Sequence, residues 1–185
     1  MFRTLHKIYV GILWVIALGA VALLYQQRSV FYPLVDLVDA LRPGDGLKQE
    51  RCGELSGQVA RVLSGDLLEL KDDRGNFHRI RLTGVAAPEY QMNDRAAMRR
   101  AERSRSELGH LVLSSRVRVE LTFTNESGGG MGIVYAGATN INALAVESGI
   151  VRVKRDQMNG LPLKDRYALI QAGRKAREHG VNEGD

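Results

Sequence analysis

The chain is poor in the side chains that build metal centres and covalent staples. A single cysteine, Cys52, excludes an intramolecular disulfide framework and a cysteine-based zinc site, and it reads as an ordinary small thiol. The four histidines, His6, His78, His110 and His179, are scattered without ligand spacing. Aromatic residues make up only 6% of the chain, which leaves few platforms for stacking single-stranded bases. No internal repeat or low-complexity tract interrupts it. What is present is globular in kind. Of 185 residues, 44% are hydrophobic and 25% charged, so wholesale disorder is excluded. The length allows one ordinary domain plus an appendage but not two full cores. Lys and Arg number 26 against 21 Asp and Glu, a net charge of +5. That excess favours anionic partners such as nucleic acid or lipid headgroups.

The apolar residues are unevenly spread. From Ile8 to Tyr25 the sequence carries no charge over eighteen residues, roughly 27 Å of helix, close to the thickness of a bilayer core. Arg3 and Lys7 precede the run, Gln26, Gln27 and Arg28 follow it, and Tyr9 and Tyr25 sit near its ends. A cleavable signal peptide would have a shorter core, although Ala20-Val21-Ala22 offers a small-x-small site. A buried soluble helix would be less uniformly apolar. Residues 1–28 are therefore expected to form one N-terminal transmembrane helix. The positive flank keeps the N-terminus cytoplasmic and the folded domain outside, in the periplasm if the source is bacterial. Residues 29–51 are expected to form an amphipathic juxtamembrane helix and linker. Val30, Leu34, Val35, Leu37, Val38 and Leu41 recur at helical spacing, and Pro43-Gly44 ends the pattern.

Residues 52–185 read as a mixed α+β domain. Strands are expected over Leu55–Leu63, Leu67–Lys71, Phe77–Thr83, Arg116–Phe123, Met131–Ala136 and, briefly, Ile150–Val153. Helices are expected over Asp94–Leu113, Ile141–Ser148 and from Leu163 to about His179. In the third strand His78, Ile80 and Leu82 share one face, with Phe77, Arg79 and Arg81 on the other. In the fourth, Val117, Val119, Leu121 and Phe123 alternate with Arg116, Arg118, Glu120 and Thr122. This order fits a closed five-stranded barrel with about three helices.

The stretch Arg81-Leu82-Thr83-Gly84-Val85-Ala86-Ala87-Pro88-Glu89 resembles the R-L-x-x-V-D-x-P-E signature of staphylococcal-nuclease-like (thermonuclease) domains. Ser64-Gly65-Asp66 looks like their D-G-D turn. Tyr135 followed by Asn142-Ala143-Leu144 and Glu147-Ser148-Gly149, and the A-x-x-A-R-x-x-G ending of Tyr167 to Gly180, are similar to the family's later segments. The likeness covers about residues 54–181. It implies an OB-fold barrel built for calcium-dependent hydrolysis of phosphodiesters, in which calcium, a glutamate and two arginines manage the charge that builds on phosphorus.

Carried over by position, the resemblance places Arg81 on the phosphate-gripping arginine, Glu89 on the glutamate and Asp66 on a calcium aspartate. It places Ala86 where the second calcium aspartate belongs, Ser64 on the first aspartate of the turn, Ala87 on a threonine and Gly129 on the second arginine. Arg79, Arg99 or Arg100 could lend a guanidinium, and Asp72 or Asp73 an oxygen, though the spacing requires neither. The expected function is thus a membrane-anchored, catalytically degenerate nuclease-like domain that serves binding or assembly with other membrane-complex subunits. Nucleic acid is a secondary partner, and no cofactor is expected. The alternative is an active calcium-dependent nuclease cutting DNA or RNA at the outer face of a membrane, using Arg81, Glu89 and Asp66 with calcium.

Overall fold

The computed structural model describes residues 13–19, 21–22, 28–42, 52–125 and 129–180. The chain separates into two compact units, Met1–Asp39 and Ala40–Asp185. The expected transmembrane helix is not supported, and the single-pass membrane location built on it falls too. Among the described residues no helix is long and apolar enough to cross a membrane. Residues 13–19 and 21–22 of the apolar run are helical, and the remainder of Ile8–Tyr25 lies outside the described residues. Helix α1, Arg28–Leu41, has 14 residues, about 21 Å against a hydrocarbon core of about 30 Å. It buries Asp36 and leaves Leu34, Val35, Leu37, Val38 and Leu41 exposed. The described residues hold about five helices: helical residues within 13–22 and α1 before the barrel domain, then the three expected within it, α2 (Arg95–Val112), α3 (Ile141–Glu147) and α4 (Leu163–Glu178), besides a 3-10 turn at Arg155–Gln157.

Eight strands are present among the described residues: β1 (Gly53–Ser64), β2 (Leu67–Asp72), β3 (Phe77–Leu82), β4 (Val85–Ala86), β5 (Arg116–Thr124), β6 (Gly130–Ala136), β7 (Thr139–Asn140) and β8 (Arg152–Val153). The main sheet runs β3-β2-β1-β5-β6-β7, and a further parallel pairing of β3 with β6 closes five of these strands into a barrel. Strand β1 is long enough to pair with both β2 and β5, and register shifts between Val59/Arg61 and Val62/Ser64 bend it between them. Inside the barrel Leu68, Leu70, Ile80, Leu82, Val119 and Ile133 are almost wholly buried, and Leu108 of α2, Ile141 of α3 and Leu169 of α4 join the same core.

Strand β3 alternates as its sequence predicts, with Ile80 and Leu82 buried and Phe77, Arg79 and Arg81 exposed. Strand β5 departs from its pattern halfway. A register shift between Leu121 and Phe123 reverses the faces, so Phe123 is exposed while Thr122 is buried and bonded to Thr83 Oγ1 at 2.9 Å. Glu120, on the polar side of the expected alternation, is buried against Arg118 (2.8 Å) and Lys164 (3.6 Å).

Buried polar groups tie the helices to the barrel. The Asn142 side chain, fully buried, accepts from Val134 N (2.9 Å) and donates to Thr83 O (2.9 Å) and Gly132 O (3.2 Å). It thereby links α3 to both strands at the barrel's closing seam. The Tyr135 hydroxyl donates to Asp165 of α4, and burial together with that carboxylate raises the tyrosine above its ordinary range. In the β2–β3 hairpin, Asp72 accepts from Arg74 N (2.9 Å) and Asn76 N (2.8 Å) and faces His78 Nε2 at 2.9 Å. These bonds, the His78 contact first, hold its carboxyl well below the usual carboxylate range.

Two outcomes follow. Asn142→Leu strands several buried backbone groups at about 1–3 kcal/mol each, so urea unfolding should show a loss on the order of 3 kcal/mol; a loss under about 1 kcal/mol would contradict the bridging role. Because the folded pKa of Asp72 lies below its unfolded value, its contribution is present above about pH 4 and is lost as pH falls below that. Acid unfolding followed by circular dichroism should therefore be less steep below pH 4 in Asp72→Asn than in the parent chain.

Candidate functional site

The turn between β1 and β2 places Asp66 at the barrel rim. Leu82 N donates to Asp66 O at 2.8 Å, which fixes the turn to the end of β3. The β2–β3 register sets Leu67 opposite Arg81, so the Arg81 side chain emerges beside the turn, its Nε 3.9 Å from Asp66 Oδ2. The other carboxylate oxygen, Oδ1, accepts from Ser64 Oγ at 2.6 Å. Asp66 is largely covered and Arg81 half exposed, with side-chain exposures of 14% and 52%. The pair thus presents a guanidinium to solvent with a carboxylate behind it, an arrangement that can receive a phosphate oxygen.

Gly65 is demanded by contact. A Cβ built there would lie 1.7 Å from Ser104 Oγ and 3.2 Å from the Ala87 Cβ. Ser104 cannot easily move away, because its hydroxyl donates to Ile150 O at 2.6 Å and is buried. The turn therefore seats directly on α2 and on the loop after β4.

Glu89 lies at the exposed end of that loop. It borders a cavity of about 550 Å³, together with Ala86, Ala87, Arg100, Arg103 and Arg152, whereas Asp66 and Arg81 are absent from its walls. The structure thus joins Asp66 to Arg81 and sets Glu89 on the cavity rim. Position 129 falls at the head of the closing seam. Ile80 pairs with Gly130 and Arg81 with Met131, and a Cβ at Gly129 would lie 3.0 Å from Arg79 O. Gly129 is held by Asn125, whose Oδ1 accepts from Gly129 N at 2.8 Å.

The candidates for substitution are mostly occupied elsewhere. Asp72 caps its hairpin, and Asp73 makes a bidentate pair with Arg116 at 2.9 and 2.7 Å. Arg79 approaches Gly129 through its backbone oxygen, while its exposed guanidinium stands 3.9 Å from Glu69, which also binds Arg61 at 2.9 Å. Arg100 borders the Glu89 cavity. The pairing of Ala86 with Arg152 across β4 and β8 was invisible in sequence, since a two-residue ladder between distant segments leaves no periodic signal.

The profile of the staphylococcal nuclease homologue family matches residues 79–182, more than half of the chain, from β3 through the end of α4. The chain belongs to the staphylococcal nuclease homologue family. It is also similar to staphylococcal nuclease domain-containing protein 1 of Schizosaccharomyces pombe, with 28% identity over 134 residues, covering 68% of this chain. The chain spans about 15% of that relative's length, so the likeness concerns one domain of a longer protein.

In this staphylococcal nuclease homologue the donors present do not suit a calcium ion, which takes about six to eight oxygens. Among the described residues no group of three or more His, Cys, Asp or Glu side chains comes together. Asp66 offers one carboxylate, already bonded to Ser64 and facing Arg81, and position 86 offers a methyl group.

The seat of the turn can be tested alone. Gly65→Ala should cost about 1–3 kcal/mol through overpacking, read as a lowered melting temperature. An unchanged melting temperature would show that the turn does not rest on Ser104.

Proposed function

We propose that this staphylococcal-nuclease-like domain is catalytically degenerate and works as a binding or assembly module. The observation that carries this reading is the state of Asp66: a single carboxylate, one oxygen bonded to Ser64 Oγ and the other facing Arg81, with Ala86 and Gly129 at the positions where the family resemblance expects a second carboxylate and a second arginine. Phosphodiester hydrolysis adds negative charge to the phosphorus oxygens, and the groups that offset it must be in place beforehand. Losing one such donor costs about 3–4 kcal/mol, roughly 10²–10³ in rate. Loss of a carboxylate ligand weakens calcium in the same direction. The two losses act on the same developing charge, so they reinforce each other without strict additivity.

Arg81 keeps its value in such a module. A half-exposed guanidinium at a barrel rim, in a chain of net charge +5, can hold a phosphate of a nucleic acid or an acidic group of a partner protein without chemistry. The opposing reading, an active calcium-dependent nuclease, draws on the same Asp66–Arg81 pair and on the exposed Glu89.

Cleavage assays on single-stranded DNA and RNA, with and without millimolar calcium, decide between them. No calcium-stimulated cleavage is expected, and calorimetry should detect no calcium binding at millimolar concentration. Turnover that disappears in Glu89→Ala would overturn the degenerate reading.

A further inference from the structure

Helix α1 shows solvent the side that a surface helix normally covers. Asp36 and Ala40 are buried, while Leu34, Val35, Leu37, Val38 and Leu41 stand 38–61% exposed. An amphipathic helix seated on its own domain does the reverse. The helical residues 13–19 expose Leu13, Trp14, Ile16 and Leu18 as well. Single apolar residues at a surface are ordinary, but a run of them along one segment marks an interaction surface.

The spacing of these residues says what covers them. Leu13, Ile16, Ala20, Leu23, Gln27, Val30, Leu34, Leu37 and Leu41 follow one another at alternating steps of three and four, the a and d positions of about four heptads. The e positions, Ala17, Leu24, Phe31 and Val38, are apolar too, and Pro33 and the charged residues Arg28, Asp36, Asp39 and Arg42 all fall outside a, d and e. Three apolar positions per heptad suit a helix in a bundle, whereas a two-stranded seam needs only a and d. Leu13 at a with Ile16 at d points the same way, since that pairing favours three or four strands. Area sets the length required. The a, d, e and g positions of α1 alone offer about eight residues a side, enough for an interface of ~600 Å², the size of an adventitious contact. Continued back to Leu13 they offer about seventeen, or ~1,200 Å² with one neighbour, which reaches the specific range. A lipid surface fits less well, because interfacial helices carry Lys and Arg on the polar face. Here that face holds Asp36 and Asp39, and residues 13–41 contain one basic residue, Arg28.

We infer that copies of this chain assemble through residues 13–41 into a bundle of more than two helices, with Leu34, Leu37, Val38 and Leu41 of α1 turned toward the neighbouring copies. Gln27, the one polar residue among the a and d positions, sets the register of the seam at some cost in stability. The inference goes beyond the degenerate-module reading and stands whether or not the domain cleaves nucleic acid.

Sedimentation velocity with light scattering on the full chain, in lipid-free buffer at micromolar concentration, tests it. A single species of three or more chains is expected. Leu34→Glu and Leu37→Glu should each weaken the assembly roughly tenfold or more, because a carboxylate would enter an apolar seam. Val35→Glu lies at position b, outside the seam although more exposed than either, and should leave the mass unchanged. All three side chains are exposed, so the melting curve of the barrel should not move. Should one seam variant fail to fold, Leu41→Glu takes its place. A mass of one or two chains, aggregates of no fixed mass, or equal dispersal by Val35→Glu would overturn the inference. So would capture of the chain as a monomer on phosphatidylcholine vesicles, which would assign the face to lipid.

Discussion

A parallel seam of three paired residues, Ile80–Gly130 to Leu82–Gly132, closes the barrel, and a seam that short cannot hold two strands by its own ladder. The bonds that secure it come from outside the ladder. Thr83 N donates to Gly132 O at 2.9 Å, and the Asn142 amide spans Thr83 O, Gly132 O and Val134 N. Each of these groups is buried, where an unmade hydrogen bond costs its full desolvation penalty. Helix α3 is thus the clamp of the barrel, and its N-cap Asn140, accepting from Ala143 N at 3.0 Å, fixes the turn from which Asn142 reaches inward.

The seam also decides where charge can stand at the rim. Arg81 lies on it and projects beside the Ser64-Gly65-Asp66 turn. Position 129 lies at its head, alongside Arg79. Both places where the family resemblance expects a guanidinium are therefore set by one closure, and only one of them carries a side chain here. The scaffold closes with no side chain at position 129 and only a methyl group at position 86. That is physically reasonable, because the fold is held by buried apolar residues and by Asn142, none of which needs a phosphate, a metal or the second arginine.

The barrel was legible wherever a strand keeps one face to the core throughout, as β3 does. It was not legible in the second half of β5, where a single extra residue reverses the faces and leaves Phe123 in solvent and Thr122 inside. Glu120 shows the same limit: its burial rests on Lys164 of α4, more than forty residues away, and period-two alternation cannot register such a partner. The motif residues Asp66, Arg81 and Glu89 could be placed by resemblance. That Asp66 and Arg81 face each other could not, since it depends on the bond from Leu82 N to Asp66 O that ties the turn to the end of β3. The N-terminal expectation erred in another way. Apolar composition over Ile8–Tyr25 favours a span, but crossing requires one helix of sufficient continuous length, and among the described residues none has it.

The exchange of an aspartate for Ala86 does more than delete a ligand. A methyl group at this position carries no charge, and it stands opposite Arg152 across the β4–β8 ladder. Ser104, which seats the Gly65 turn and bonds Ile150 O beneath the cavity, couples the rim to this neighbouring wall.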